Sequence, residues 1–220
     1  MAISFIAATS AEASSLTLPT HADGDLIVMV VAAVPQATIT PDASWQIATF
    51  RINSASQSSM LVWKIAGSSS EVSGTWTNAT HIAASVYRDP TYLVALGGTN
   101  GGASGGATGV QFNRIDATTS TSSSSSAMKS GGWVGGTVIT VANGSDVADP
   151  PTDMTNRVSL AGGSTGQVVM HDTNTGVTNW PITVKTIDTS SAYASYTFEI
   201  MLLSKEKAGS GGGNVIVIED

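Results

Sequence analysis

The chain has 220 residues, of which only 11% are charged, and its formal net charge is −7. This length permits one large all-β domain. The basic residues are scattered singly apart from Lys205 and Lys207, which argues against nucleic-acid binding because phosphate contacts need clustered lysine and arginine. The chain has no cysteine, which excludes disulfides, thiolate zinc sites and cysteine nucleophiles. A free soluble domain usually carries about 25% charged residues, so the low charge is typical of a subunit that neighbours partly cover.

Two short apolar segments at the start of the chain, Ala2–Ile6 and Leu16–Leu18, predict edge strands. No basic residue precedes Arg51, so we expect no secretory signal, which needs a positive n-region. No apolar run approaches 18 residues, so we expect no segment that spans a membrane. The sequence therefore predicts a protein that is made and assembled in a cytoplasm.

A first set of strands is predicted between Gly24 and Asp89. The turn Asp23-Gly24-Asp25 leads into Leu26–Val34, which is apolar at nearly every position and so indicates a strand buried on both faces. The other strands of the set are predicted after Pro41 through Trp45 to Phe50, from Met60 to Ile65, and from Thr75 to Arg88.

Residues 90–132 differ in composition from the rest of the chain. Seven of the thirteen residues from 97 to 109 are glycine, and Ser122–Ser126 is an unbroken serine run. Glycine and serine supply too little buried apolar area to offset the cost of ordering the backbone. The sequence therefore predicts a connection with at most one or two short strands, held in place by a partner subunit.

A second set of strands, from Gly136 to Leu203, repeats the order of the first. Its segments are Val138–Val141, Met154–Leu160, Gln167–Met170 and Ile182–Leu203, and their spacing follows that of the first set. We therefore predict an all-β, jelly-roll-like two-sheet sandwich at 1–208, with equivalent halves at 1–89 and 133–208, because neither half alone could bury its apolar face.

The last predicted strand alternates between apolar and polar residues. This period of two predicts one buried face and one solvated face. The buried face would hold Ala194, Tyr196, Phe198, Ile200 and Leu202, and the solvated face Ser195, Thr197, Glu199 and Met201.

Residues 209–220 predict a hinge followed by a strand arm. Gly209–Gly213 is flexible, and the β-prone segment after it would expose unpaired backbone groups in water. We predict that the arm adds a strand to a neighbouring subunit or host particle. The alternative is that it folds back onto its own sheet. The predicted partner-binding residues are Val215, Ile216, Val217 and Ile218.

No catalytic constellation is evident. Ser126-Ala127-Met128-Lys129 matches the Ser-x-x-Lys pattern of penicillin-binding enzymes, but the partner motifs Ser-Asp-Asn and Lys-Thr-Gly are missing. There is also no Gly-x-Ser-x-Gly elbow, and the glycines of 97–109 lack the spacing of a phosphate loop. We therefore predict that the chain is not an enzyme.

Metal and cofactor sites are not predicted either. His21, His81 and His171 lie far apart without ligands at metal-binding spacing, although stacked halves could bring the last two together. Asp146, Asp149 and Asp153 resemble a loose calcium loop, but Pro150-Pro151 favours a stiff turn.

The aromatic residues allow two interpretations. Five tryptophans could line a sugar-binding groove, but in a sandwich of this size most are expected to be core or interface anchors. They are Trp45, Trp63, Trp76, Trp133 and Trp180.

Several segments resemble jelly-roll-type modules of tailed-bacteriophage virion proteins. In those modules a "GDLLV" strand, a "GW" turn, a "YKxA" strand and an "AAxVxxYRG" strand recur in order. The second half is similar where Pro150-Pro151-Thr152-Asp153-Met154-Thr155 matches "PPAGMT", while Asp89-Pro90 replaces a common glycine. The matching first-half segments are Gly24–Ala32, Ser44-Trp45, Trp63–Gly67 and Ala83–Arg88.

This resemblance implies a structural virion protein that decorates or is attached to the capsid or tail, made in the host cytoplasm. It would bind other virion proteins and form a homo-oligomer, and the family suggests a trimer. The alternative is a carbohydrate- or receptor-binding module of a phage fibre, which would expose tryptophan or tyrosine beside polar side chains. A depolymerase, with paired carboxylates across a cleft, is a third alternative.

Overall fold

The computed structural model describes residues 3–53, 56–112, 132–141, 150–160, 166–177, 180 and 183–206. These residues form antiparallel strands joined by turns and loops, and no helix among them is long and apolar enough to cross a membrane. The strands are β1 (Ser4–Ala11), β2 (Leu26–Ala33), β3 (Gln46–Asn53), β4 (Gln57–Ile65), β5 (His81–Arg88), β6 (Tyr92–Phe112), β7 (Trp133–Thr140), β8 (Thr155–Leu160), β9 (Gln167–Asp172) and β10 (Thr183–Glu206).

The strands form two five-stranded sheets with the same internal order. The first sheet is β1-β5-β2-β4-β3 and the second is β6-β10-β7-β9-β8, so each strand has its counterpart five places later in the chain. This confirms the predicted all-β sandwich of two equivalent strand sets. Each sheet takes all of its strands from one half of the chain.

The two sheets pack face to face around one apolar core. At the sheet edges β1 lies against β8 and β3 against β6, an arrangement that exchanges equivalent strands as a two-fold axis would. The core is formed by alternate residues of the central strands, because successive side chains of a strand point to opposite faces. Its fully buried members include Leu26, Val28, Val30, Leu61, Tyr87, Ile139, Met170, Tyr196 and Phe198.

The outer face of the first sheet is also covered, which explains why β2 is apolar throughout. Its remaining side chains, including Ile27, Met29 and Val31, pack under loop residues. Leu16 and Leu18 belong to this cover instead of forming the predicted edge strand, while the predicted Ala2–Ile6 strand is observed as β1. The sequence prediction that β2 is buried on both faces is confirmed.

Much of the predicted Gly/Ser connection is in fact a strand. β6 pairs with β10 over almost its whole length, so for these residues the chain itself supplies the ordering contacts that we assigned to a partner subunit. Backbone hydrogen bonds to β10 replace the apolar burial that the composition lacks. The glycines also leave space: a Cβ at Gly97 would lie 2.3 Å from Glu199 Oε2, and one at Gly101 would lie 2.8 Å from Arg51 Nε.

The far end of the β6–β10 ribbon folds back over the outer face of the second sheet. Its register shifts between Thr186 and Tyr193, and beyond this point Phe112 packs over Gly136 and beside His171. Gln111 accepts a hydrogen bond from Ser195 Oγ at 2.5 Å and donates its N–H to the Tyr193 hydroxyl at 3.2 Å.

This cover overturns the predicted solvated face of β10. Ser195, Thr197 and Glu199 are all at most 1% exposed, although they alternate with the core residues as expected. The alternation correctly identified the two faces of the strand. It was wrong about solvent because the glycine-rich strand β6 supplies cover, through Gln111 at Ser195 and through Gly97 and Gly98 beside Glu199.

Candidate protein interface at the edge of the first sheet

β3 forms one edge of the first sheet and is the most exposed strand of the described structure. Among the described strands it is hydrogen-bonded only to β4, so its other edge presents unpaired backbone N–H and C=O groups. Such an edge is a template on which another chain can add a strand.

Three large apolar side chains on β3 are exposed together. Ile47 is 48% exposed, Phe50 58% and Ile52 59%. A bulge between Ile47 and Thr49 keeps all three on the outer face, where their partners on β4 are Val62, Met60 and Ser58. Without the extra residue Ile47 would point to the opposite face from Phe50, because side chains alternate along a strand. We call Ile47, Phe50 and Ile52 the β3 stripe.

The inner side of β3 is anchored to the second sheet. Arg51 donates from Nη2 to the Gly101 carbonyl of β6 at 2.8 Å, and glycine at this position leaves room for the guanidinium. Beside it, the buried hydroxyl of Tyr196 donates to the Ser59 carbonyl at 2.9 Å. β6 thus contacts β3 directly through Arg51, and Tyr196 of β10 binds Ser59 on β4, the strand that pairs with β3.

The residues predicted to bind a partner lie outside the described part of the chain. These are Val215, Ile216, Val217 and Ile218, and the Ser126–Lys129 motif and two aspartates of the predicted loop, Asp146 and Asp149, also lie outside it. The third aspartate, Asp153, is exposed in a turn with φ of 68°. Within the described residues, no group of three or more His, Asp or Glu side chains is placed to hold a metal ion.

The three histidines are separate, buried residues. His21 donates from Nδ1 to the Pro19 carbonyl at 2.6 Å and accepts the Glu71 N–H at Nε2, which ties two loops together. His81 faces the core beside Gly166, whereas His171 packs against Phe112 on the outer face of the second sheet. His81 and His171 therefore do not share a site.

The tryptophans are anchors of the fold. Trp45 and Trp76 stack edge to face at 6.3 Å, and both donate their indole N–H to the Ser73 carbonyl. Trp133 and Trp180 are at most 6% exposed, and Trp63 is half-buried against the core. No tryptophan therefore supplies the exposed aromatic platform that a sugar groove requires.

A buried ion pair with aromatic neighbours lies between the sheets at the edge opposite β3. Arg157 binds the fully buried Asp172 carboxylate through two hydrogen bonds of 2.7 Å and stacks over the Phe5 ring at 4.2 Å. Burial, reinforced by the nearby Asp172 charge, raises the pKa of Tyr87 well above its ordinary value. The Asn174 N–H also binds Asp172, so this carboxylate is held as a structural acceptor.

Glu199 is a buried carboxylate that lowers the stability of the folded protein at neutral pH. Its Oε2 accepts the Gly98 N–H at 3.2 Å, while Oε1 has no hydrogen-bond partner among the described residues. Burial raises the pKa of Glu199 above its ordinary value of 4.5, and the bond from Gly98 opposes this shift. Because the pKa is raised, the folded protein holds the protonated form of Glu199 more tightly than the unfolded chain does. The contribution of this group to the free energy of unfolding is therefore greatest below pH 4.5, and it falls as the pH rises through the folded-state pKa.

We expect Glu199→Gln to stabilise the protein at pH 7, by on the order of 1 kcal/mol, because an amide carries no charge to desolvate. The gain should shrink as the pH is lowered toward 4. Urea unfolding of both proteins across this pH range measures it, and a gain that is independent of pH would contradict the assignment.

The β3 stripe was missed by the sequence analysis. The segment was predicted as a strand, but nothing local distinguishes an edge strand from a central one, and the bulge breaks the regular alternation. The only available signal was the uneven spacing of Ile47, Phe50 and Ile52 in a β-prone segment.

Comparison with known proteins adds no relative. No family model, no curated protein and no solved structure matches the chain.

Proposed function

We propose that this chain is a non-enzymatic structural component of a tailed-phage virion that assembles with neighbouring subunits through its sheet edges. The observation that carries the assembly role is the β3 stripe on an unpaired edge. Natural proteins normally blunt such edges, and exposed apolar patches on them mark sites of interaction. The virion location is supported by the sequence resemblance alone.

The motif residues behind that resemblance have structural roles in this fold. Gly24 adopts a φ of 77° in the turn before β2, and the buried Asp25 carboxylate accepts two hydrogen bonds of 2.6 Å from Arg88. The "GD" and "YR" segments are thus joined by an ion pair. These contacts support an architectural role for the motifs and imply no chemistry.

The receptor-binding alternative is less well supported. A glycan site needs aromatic rings that sugars can reach, and the tryptophans are buried or half-buried. An enzyme remains the third alternative. Tyr87 and Glu199, two described groups whose pKa is raised, are both buried.

We expect the purified chain to be a homo-oligomer, and the resemblance suggests a trimer. The double substitution Phe50→Asp with Ile52→Asp should shift it to smaller species by placing charges on the β3 stripe, while the melting temperature stays close to that of the wild type. Multi-angle light scattering measures the mass. Val72→Asp is the matched control, because Val72 is 69% exposed but lies in a loop.

A wild-type chain that is monomeric at all concentrations would contradict the assembly role. Location is tested separately, by immunogold labelling of purified phage particles with an antibody against the chain. Particles that carry no label on head or tail would contradict the virion proposal.

A further inference from the structure

We infer that the β3 edge is the acceptor for the C-terminal arm, residues 214–220, of a second copy of this chain, which adds to β3 as an antiparallel strand. This inference deepens the proposed function, on which it rests, by naming the partner of the β3 stripe.

The arm has the chemistry that the β3 stripe requires. Its sequence Asn214-Val215-Ile216-Val217-Ile218-Glu219-Asp220 holds four consecutive β-branched residues. As a strand it would place alternate side chains, either the two valines or the two isoleucines, on the outer face beside Phe50 and Ile52. Pairs of aromatic and β-branched residues across neighbouring strands stabilise a sheet. The arm would also satisfy the free backbone groups of β3.

The position of the arm's origin favours a second copy as its donor. β10 ends at Glu206, opposite Tyr92 at the start of β6. The strand registers place the start of β3 toward this corner and its end farther along, since Arg51 contacts Gly101. To pair antiparallel with its own β3, an arm would have to travel about 24 Å along that strand and about 10 Å between sheets before turning back.

The link is too short for that path. Eight Cα–Cα steps join Glu206 to Asn214 through residues 207–213, and they span at most about 29 Å when fully extended. The reversing turn takes at least two of these residues, so about five steps, or about 18 Å, are left for the path along β3. A parallel pairing within one chain would be in reach, but every pair of described strands is antiparallel, and parallel pairs are slightly less stable. Exchange of arms between copies is a head-to-tail contact, which can close into a ring such as a trimer.

Cysteine cross-linking tests the pairing cleanly, because the chain has no cysteine of its own. The 220-residue chain with Phe50→Cys is mixed, in turn, with the Val215→Cys, Ile216→Cys, Val217→Cys and Ile218→Cys variants under mild oxidation. Disulfide-linked heterodimers are quantified on non-reducing gels. We expect cross-linking at alternate arm positions, several-fold above the intervening ones, because strand side chains alternate in direction.

The matched acceptor control is Val72→Cys, because Val72 is 69% exposed, somewhat more than Phe50 at 58%, and lies off the edge. Yields from Phe50→Cys that equal this control, or that do not alternate along the arm, would overturn the inference. Phe50→Cys homodimers in excess of heterodimers would overturn it in favour of direct β3–β3 pairing. A double variant that forms its disulfide within one chain at high dilution would overturn it in favour of pairing in the same chain.

The inference and the proposed function fail in different ways. If the wild type is oligomeric by light scattering but these cross-links do not form, the assembly role is supported, and the contact between subunits is not made by the arm on β3. If deletion of residues 209–220 leaves a folded protein with fewer subunits per particle by light scattering, the result supports assembly through the arm. If the wild type is a monomer, both fail.

Discussion

Replacing Phe198 by alanine is expected to lower the free energy of unfolding by about 3–5 kcal/mol, through lost burial and the cavity left behind. The ring is fully buried between the sheets and rests on Gly135 of the neighbouring strand. A Cβ at position 135 would lie 2.2 Å from Phe198 Cε2, so the glycine and the ring together fill one space. Urea unfolding, with the midpoint and the slope fitted separately, measures the loss.

The matched control is the adjacent residue, Thr197→Val. Thr197 is fully buried on the opposite face, and its hydroxyl has no hydrogen-bond partner in the part of the chain that the structure describes. An isosteric methyl should therefore leave stability unchanged or raise it by about 1 kcal/mol. Comparable losses at positions 197 and 198 would contradict the packing described for β10.

Replacing Asp172 by alanine is expected to lower the free energy of unfolding by a similar amount, about 3–5 kcal/mol, because it leaves the Arg157 guanidinium in a buried site without its charged partner. Arg157 is 11% exposed and Asp172 is fully buried, so neither charge is well solvated once its partner is removed. The change should also loosen the contact between β1 and β8, since Arg157 stacks on Phe5.

A double-mutant cycle separates the ion pair from simple packing. Arg157→Met alone leaves the Asp172 charge buried and should also be costly, whereas Asp172→Ala combined with Arg157→Met removes both charges. The double variant should be much more stable than the sum of the two losses predicts. Strictly additive losses would show that the pair contributes only through its volume.

Apart from β6, the order of the main strands along the chain could be predicted from the sequence, because the strand pattern is encoded locally and occurs twice. The unbroken apolar run of β2 indicated burial on both faces, and the matching spacing of the second set indicated an equivalent sheet. Neither inference needed to know which strands pair with each other.

The features that depend on distant pairing could not be predicted. The glycine-rich segment is a strand because β10, far along the chain, supplies its hydrogen-bond partners. The same ribbon covers Ser195 and packs over Gly136, the β7 partner of Thr197, while Glu199 is buried beside Gly97 and Gly98 of β6. The alternation of these three polar residues with apolar ones had wrongly indicated solvent. The β3 stripe depends on a bulge and on an edge position, both of which are properties of the assembled sheet.

The strict separation of the two sheets makes the molecule resemble two tethered subunits. No described strand of one half pairs with a strand of the other, so the halves are held by side-chain packing and by single contacts such as the Arg51–Gly101 bond. Between them runs a short corner in which the buried Asp89 carboxylate binds the N–H groups of Thr91 and Tyr92. Even a flexible link of such length sets an effective concentration of about the millimolar range. The link at this corner thus keeps the two sheets packed together at any protein concentration. Two separate halves would need concentrations of about the millimolar range to form the same interface.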